Sequence, residues 1–449
     1  MGKTTIPYGS PLAKVVQSAG LFTGHMARNT TLNRLTGKMP QQADAEDTLR
    51  QQTTQHMPIV RCQDLGKSTG DEIDFDLLNP MGGKPIMGGE YAEGRGVGMS
   101  FAQDRLRVNQ ARFPISAGDT MSQIRSPHEL RSLARAQAQA FMDRYGDQSL
   151  LVHMAGARGS HNNIEWAVPL ASDPDFSKIM VNRVKAPTKN RHYISTGSGI
   201  EPFKINGGNV DIATTDVFNK DVVDGIRTVM ETIPLPPPPV IFEGDKAATD
   251  SPIRVLLVSP AQYSAFATDS SFRTFQANAM ARAQQANMHP LFMGDAGLWN
   301  GILIVKMPKP IRFYAGDTVN YCASYTSETE SSVTVPAGFS TTYAVDRAIL
   351  LGGQAVAEAF AKHNGTGVPF FWSEKQLDHD DKLEMLVGTI RGVSKIRFEI
   401  DFGDSKQFTD YGPRLGEIGA PTLLIVGVLL YESSTFFAAV RLDKFLLTT

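Results

Sequence analysis

Four consecutive residues, Asp378, His379, Asp380 and Asp381, form the densest group of metal-ligand and proton-carrying types in the chain. Carboxylates and an imidazole around a divalent ion would activate water for hydrolysis. Adjacent side chains cannot all converge on one ion without a special loop, and no second group with ligand spacing accompanies them. A solvated turn is the simpler reading, and a metal-dependent hydrolase is the alternative it competes with. His153 and His161 lack a cysteine or serine partner at a nucleophile spacing, so they read as core or surface histidines. Gly2, Lys3 and Thr4 imitate the end of a phosphate loop, but the earlier glycine and the preceding strand are missing. Trp166, Trp299 and Trp372 would stack on bases in a basic protein; with a formal charge of -2, packing is the better account. The two cysteines, Cys62 and Cys322, are too few in 449 residues for a disulfide framework and read as small buried hydrophobes. Missing chemistry of this kind favours a structural protein over an enzyme only weakly.

Length and a hydrophobic share of 41% allow a sizeable core in about two to four domains. The opening MGKTTIPYGS has no apolar signal core and no eighteen apolar residues run together, so a soluble, unexported protein without a membrane partner is expected. Asn29-Thr30-Thr31 and Asn364-Gly365-Thr366 match the glycosylation pattern, which has no use without a secretory route. The nearly neutral charge limits any contact with DNA to weak, non-specific binding.

Residues 1–57, rich in Gln and Thr, read as an extended arm. Next, Ile73, Phe75 and Leu77 alternate with Asp74 and Asp76, and extended structure resumes from Phe101 to Phe113. Between them lie seven glycines from Gly82 to Gly98, with only Ile86, Met87, Tyr91 and Val97 as large apolar residues. That describes a two-stranded excursion over 71–113 with a mobile tip, too poor in core to stand alone. A capping box at Ser126 to Glu129 starts a helix running to Ala155, with Leu130, Leu133, Ala134, Phe141 and Tyr145 inward and a kink or break at Gly146. Thr215 or Asp216 should cap a helix that ends at Thr232, before Pro234 and the stiff spacer Pro236 to Pro239. A buried strand at Ile253 to Val258, helices over 261–267 and 271–287, and an Asn300-Gly301 turn before Ile302 to Val305 follow.

The stretch from Tyr343 to Asp401 organises the rest. Val345, Ala348, Ile349, Gly352, Val356, Ala359 and Phe360 keep three-and-four spacing, which predicts one long helix from Thr342 to Asn364 with Asp346, Arg347, Gln354 and Glu358 in solvent. Leu383, Met385 and Val387, then Ile396, Phe398 and Ile400, alternate as strands do. The apolar run Pro421 to Tyr431 is too short to span a bilayer and is open to three readings: an extra strand, a subunit contact or a foreign sequence.

The phrases DRAILLGGQAVAEAF, FFWSEKQLDHDDKLEM and GVSKIRFE resemble the C-terminal signature of major capsid proteins from the N4-like tailed phages. MAGARG, VLLVSPAQY and HPLFMGDAGLWNGILIVKM are similar to the same family, so the likeness covers about residues 58 to 411; after Gly412 nothing matches. The resemblance implies a mixed α/β (α+β) protein of the Hong Kong 97 or Johnson capsid fold. Its parts would be an N-terminal arm (1–57), an extended loop (71–113), and a peripheral domain in pieces (58–70, 114–165 with the spine helix, 340–412). An axial domain (166–339) and a C-terminal tail (413–449) complete it. It also implies self-assembly into pentamers and hexamers of an icosahedral head around double-stranded DNA, with scaffolding, portal and decoration proteins as further partners, and so no enzyme, no metal and no cofactor. The location would be the virion, and the host cytoplasm during assembly. A shell-like compartment or a tail protein built on similar modules is the neighbouring reading. In that family the extended loop lies across a neighbouring subunit, which makes Ile73, Phe75, Leu77, Lys84, Glu90, Tyr91, Glu93, Arg95, Phe101, Asp104 and Arg105 the candidate contact residues.

Overall fold

In the computed structural model of the chain, residues 30–37, 56–62, 70–78, 85–96, 98–99, 101–125, 130–162, 165–233, 236–242, 244–268, 272–286, 289–293, 296–339, 343–363, 368–379, 381–401, 406–410 and 423–430 are described. Their longest helix, Leu130–Ala155, packs against two sheets. Its first half buries Ala134, Ala138, Met142 and Tyr145, a stripe at four, four and three residues, while Leu133 is half exposed. The alanines let the helix lie close to Phe370, Trp372, Met385 and Val387. There is no break at Gly146: its carbonyl accepts hydrogen bonds from Arg391 (3.2 Å) and the Ser149 hydroxyl (3.1 Å), and the helix runs on. From Gln148 to Ala155 every residue is buried, as the helix end enters the main core. The expected capping box at 126–129 lies outside the described residues.

The smaller sheet is built on the long strand Lys382–Lys395. Asn109–Asp119 and Phe370–Leu377 pair with it antiparallel. Val356–Phe360 pairs with its last residues, and Ile59–Cys62 adds to Val356–Phe360 in parallel. The alternation at Leu383, Met385 and Val387 is that of a strand with one packed face, as expected.

The larger sheet runs in the order Ala296–Trp299, Ile302–Lys306, Arg254–Val258, Tyr343–Leu351, Leu423–Leu430, His192–Thr196, Gly199–Pro202, with Arg312–Phe313 also on Tyr343–Leu351. The long helix predicted from Thr342 to Asn364 is therefore wrong; the residues form two strands, Tyr343–Leu351 and Val356–Phe360. Both strands are buried on both faces, and a run apolar on both sides shows no period of two. The residues assigned to a wet face are inside: Asp346, Arg347 and Glu358 have no exposed surface and Gln354 has 4%. Gln354, with φ 58°, turns the chain between the strands. The tail run resolves as a strand, Leu423–Leu430, antiparallel to Tyr343–Leu351 and parallel to His192–Thr196.

Elsewhere the punctuation reads well. Ser259 caps Pro260–Ala267 through a full capping box with Gln262. Asn300 and Gly301, with φ 47° and 73°, make the expected hairpin turn. The helix Lys220–Thr232 ends where Pro234 predicts, but its cap is Asn219, whose side chain accepts the Val222 amide. Asp216 instead ties the loop before it, accepting the amides of Gly197 and Ala213.

Candidate assembly surface

Of the acidic cluster, Asp378, His379 and Asp381 lie in the turn joining Phe370–Leu377 to the long strand, and Asp380 lies outside the described residues. Asp378 and His379 both have φ 55°, Asp378 pairs with Lys382 at 2.7 Å, and the Asp381 carbonyl accepts the Thr120 amide at 2.9 Å. The Lys382 hydrogen bond holds the exposed Asp378 carboxyl below its ordinary range. Among the described residues, no three His, Cys, Asp or Glu side chains are placed to share an ion. His153 is buried in the long helix with Nε2 3.3 Å from the Met180 carbonyl, and burial pushes its pKa down to about 3. His161 meets the Tyr314 hydroxyl at 2.9 Å. Trp166 lies under the Arg158 guanidinium at 3.5 Å, and Trp299 and Trp372 donate to Asp224 and Glu374. Cys62 and Cys322 are free thiols in the core. These side chains are engaged in packing and local hydrogen bonds.

The excursion is a hairpin of Glu72–Leu78 and Phe101–Arg107, in register from Glu72 opposite Arg107 to Leu78 opposite Phe101. Its root does not depend on a neighbour. Phe75, Ala102, Leu106 and Val108 are buried with Val60, Cys62, Ala357, Ile396, Phe398 and Ile400 of the same chain, and Ile73 packs beside them. Asp104 accepts two hydrogen bonds from Lys185 Nζ (2.9 and 2.7 Å) and one from the Arg397 amide (2.8 Å). Arg105 pairs with Asp74 at 3.3 Å. Of the candidate contact residues, Phe75 and Asp104 are thus engaged inside the chain, Arg105 pairs across the hairpin, Lys84 lies outside the described residues, and the Leu77 backbone pairs with Ala102.

Charges buried beneath this root hold the elements it rests on. Glu358 lies between Arg61 (2.7 Å) and Arg391 (3.0 Å), and Asp410 between Arg397 (2.8 Å) and Lys395 (3.0 Å). Burial pushes Lys395 down to about 8, against the pull of Asp410. Burial would raise Asp410, but Arg397 and Lys395 hold it below the usual carboxylate range.

The tip is different. Tyr91 is 81% exposed, Met87 74%, Phe101 65% and Met99 63%. A methyl group added at Gly88, Gly89, Gly94, Gly96 or Gly98 would meet nothing within 4 Å. Glu90 and Arg95 pair at 2.8 Å across the tip with both side chains mostly in water, and Glu93 is exposed beside Tyr91. Among the described tip residues these large apolar side chains stand in water, which makes them candidates for contact with another surface. Met99, between Gly98 and Ser100, escaped sequence reasoning because an isolated methionine carries no periodic signal.

Three comparisons bear on this arrangement. A family model described as phage capsid protein matches residues 5–415, so the strand Leu423–Leu430 lies beyond the matched residues. No curated protein matches the chain. Among solved structures, the capsid of Ralstonia phage GP4 is similar at 20% identity with a TM-score of 0.63, covering 96% of this chain and all (100%) of that one. The Cyanophage Pam1 capsid asymmetric unit is similar at 12% identity and a TM-score of 0.54, covering 85% of this chain and 90% of that one.

Proposed function

The chain belongs to the phage capsid protein family, and from that membership we propose that its copies close into the pentamers and hexamers of an icosahedral head. It is a major capsid protein with the mixed α/β Hong Kong 97-type fold, a structural protein of the virion shell. The finer parts of the reading are these. The phage is of the N4-like kind, on the strength of the phrases between residues 58 and 411. Assembly takes place in the host cytoplasm with scaffolding, portal and decoration proteins, and the nearly neutral charge keeps contact with packaged DNA weak. Cyclic rings need heterologous contacts, each of which stays modest because closure multiplies it.

The division into arm (1–57), extended loop (71–113), peripheral pieces (58–70, 114–165, 340–412), axial domain (166–339) and tail (413–449) is proposed with two adjustments. Asn109–Asp119 pairs with Lys382–Lys395, so the loop is better ended before Asn109. Tyr343–Leu351 pairs with Arg254–Val258, so the third peripheral piece is better begun at the bend after Leu351.

The observation that carries the arm assignment is the contrast along one hairpin, rooted in its own core and bare at its tip. Leu77, Lys84, Glu90, Tyr91, Glu93, Arg95 and Phe101 remain as the proposed contact residues, with Met87 and Met99 added. The experiment is electron microscopy and light scattering of the pure protein at rising concentration. Rings or shells are expected, and a strictly monomeric species in every salt would overturn the reading.

A further inference from the structure

The strand Leu423–Leu430 takes a central place in the larger sheet, although it lies past the residues that the capsid family model matches. Tyr343–Leu351 pairs with it on one side and His192–Thr196 on the other, and in the sheet order these two are joined only through it. The slot between them is a site that one extended segment fills, and its walls state which segment fits.

Each wall carries a buried polar side chain left unmatched. Arg347 stands opposite Val426, and His192 opposite Leu424, two residues away on the same strand. Residues in direct register share a face of a pleated sheet, as do residues two apart, so both stand on the face that brings Ile194 and Ile349 into the main core. Arg347 has no exposed surface. Its Nη1 donates to the Ala155 carbonyl at the end of the long helix (2.8 Å), and its guanidinium lies 5.2 Å from the Phe313 ring centre. Its Nε and Nη2 have no acceptor among the described residues. His192 stacks on Phe203 with ring centres 3.8 Å apart, and neither of its ring nitrogens has a partner there.

The acids buried in the core, Asp346, Glu358 and Asp410, are already taken. Asp346 precedes Arg347 and so faces the other side of the sheet, where Arg312 (2.7 and 2.8 Å) and the Ser259 hydroxyl (2.5 Å) hold it. Glu358 lies between Arg61 and Arg391, and Asp410 between Arg397 and Lys395. Lys395, the other charge that bears on His192, has the same sign as Arg347. Burial alone pushes Arg347 down to about 9, with no anion to offset the cost of enclosing it. The tail strand, LLIVGVLL, brings only apolar residues and a glycine to this slot.

We propose that the slot between Tyr343–Leu351 and His192–Thr196 is a strand-acceptor site selective for an extended segment that is apolar but for one carboxylate in the row of Arg347. The tail of this chain holds the place without meeting that demand. Side chains in opposite register stand about 5 Å apart at Cβ, so a carboxylate at position 426 comes within reach of the free Nε and Nη2. Those two N–H groups form a fork that suits the two oxygens. His192, kept neutral by burial, offers a further N–H one row away.

The test writes that segment into the tail of the full chain. A glutamate placed in a central strand ordinarily destabilises a fold. Here Val426→Glu should raise the melting midpoint by about 2 °C or more, and Val426→Gln, of the same shape without the charge, by less. Amide exchange over 423–430 should slow by about tenfold in Val426→Glu, which a tail that had merely left the slot would not show. Combined with Arg347→Met the same glutamate has no partner, and the double variant should melt well below either single one. Arg347→Met alone should melt no lower than the parent, because it removes a cation that nothing offsets. A Val426→Glu chain that melts below the parent, exchanges faster or fails to fold overturns the selectivity. So does a gain that survives Arg347→Met, since the carboxylate has then found another partner. A marked fall for Arg347→Met alone shows that the guanidinium is already satisfied, and overturns the proposal independently of the tail.

Discussion

Glu358 has no exposed surface and lies between two guanidiniums, Arg61 at 2.7 Å and Arg391 at 3.0 Å. Removing the carboxylate leaves both cations buried, which costs more than the intact group returns. Glu358→Ala should therefore lower the unfolding free energy by about 3–5 kcal/mol in urea titrations; a loss under about 1 kcal/mol would mean that water reaches the arginines. The buried histidines make a second prediction. Burial pushes His153 down to about 3, and burial with Arg347 and Lys395 nearby takes His192 well below its ordinary value. Both are neutral in the fold, whereas each protonates near pH ~6.5 once unfolded. Their contribution is fully present above about pH 6.5 and is lost as pH falls toward the folded values, at up to about 1.4 kcal/mol per pH unit each. Melting temperatures should drop between about pH 7 and about pH 5. His153→Gln should flatten that slope, and an unchanged slope would sink the assignment. None of these buried charges was legible in the sequence. Charged residues mostly lie in water, and the partner of Glu358 stands 297 residues away at Arg61.

Elements were legible where one face is wet. Alternation at Ile73 and at Met385, the alanine stripe of the long helix, and the Asn300-Gly301 turn each carry a period or a backbone demand that only one structure satisfies. Tyr343–Leu351 and Val356–Phe360 carry none, because layers on both sides bury them and erase the alternation. Gly352 sits at a close approach of two segments, in a bend between strands rather than in the predicted helix. A Cβ there would lie 2.8 Å from the Pro238 carbonyl oxygen and 2.9 Å from Pro237 Cβ. Gly352→Leu should cost about 1–3 kcal/mol, and Gly392→Ala, driven against the Arg107 carbonyl, at least as much. Thermal melts of soluble protein check both, and an unchanged midpoint for Gly392→Ala would show that the loop root can lift off the long strand.

For the whole molecule, the question is what the extended loop contributes to the folded subunit and what to the shell. Sequence reasoning gave the loop too little support of its own, because the residues it leans on, Val60, Ala357 and Phe398, come from three distant segments. The strand pairing ends at Leu78 opposite Phe101, so an Asn-Gly turn replacing residues 79–100 closes the hairpin without disturbing Phe75, Ala102 or Leu106. The exposed tip offers its own subunit no core, so its removal should change the unfolding free energy by less than about 1 kcal/mol and leave circular dichroism native-like. Assembly should respond differently. Tyr91, Met87 and Met99 are lost together with Glu93, and with them the apolar burial that one subunit offers the next; exposed ion pairs supply only about 0–1 kcal/mol each and cannot replace it. Rings and shells should fail to form from a subunit that still folds. Normal closed shells from the shortened chain would make the loop a surface ornament and move the assembly contacts onto the body of the protein.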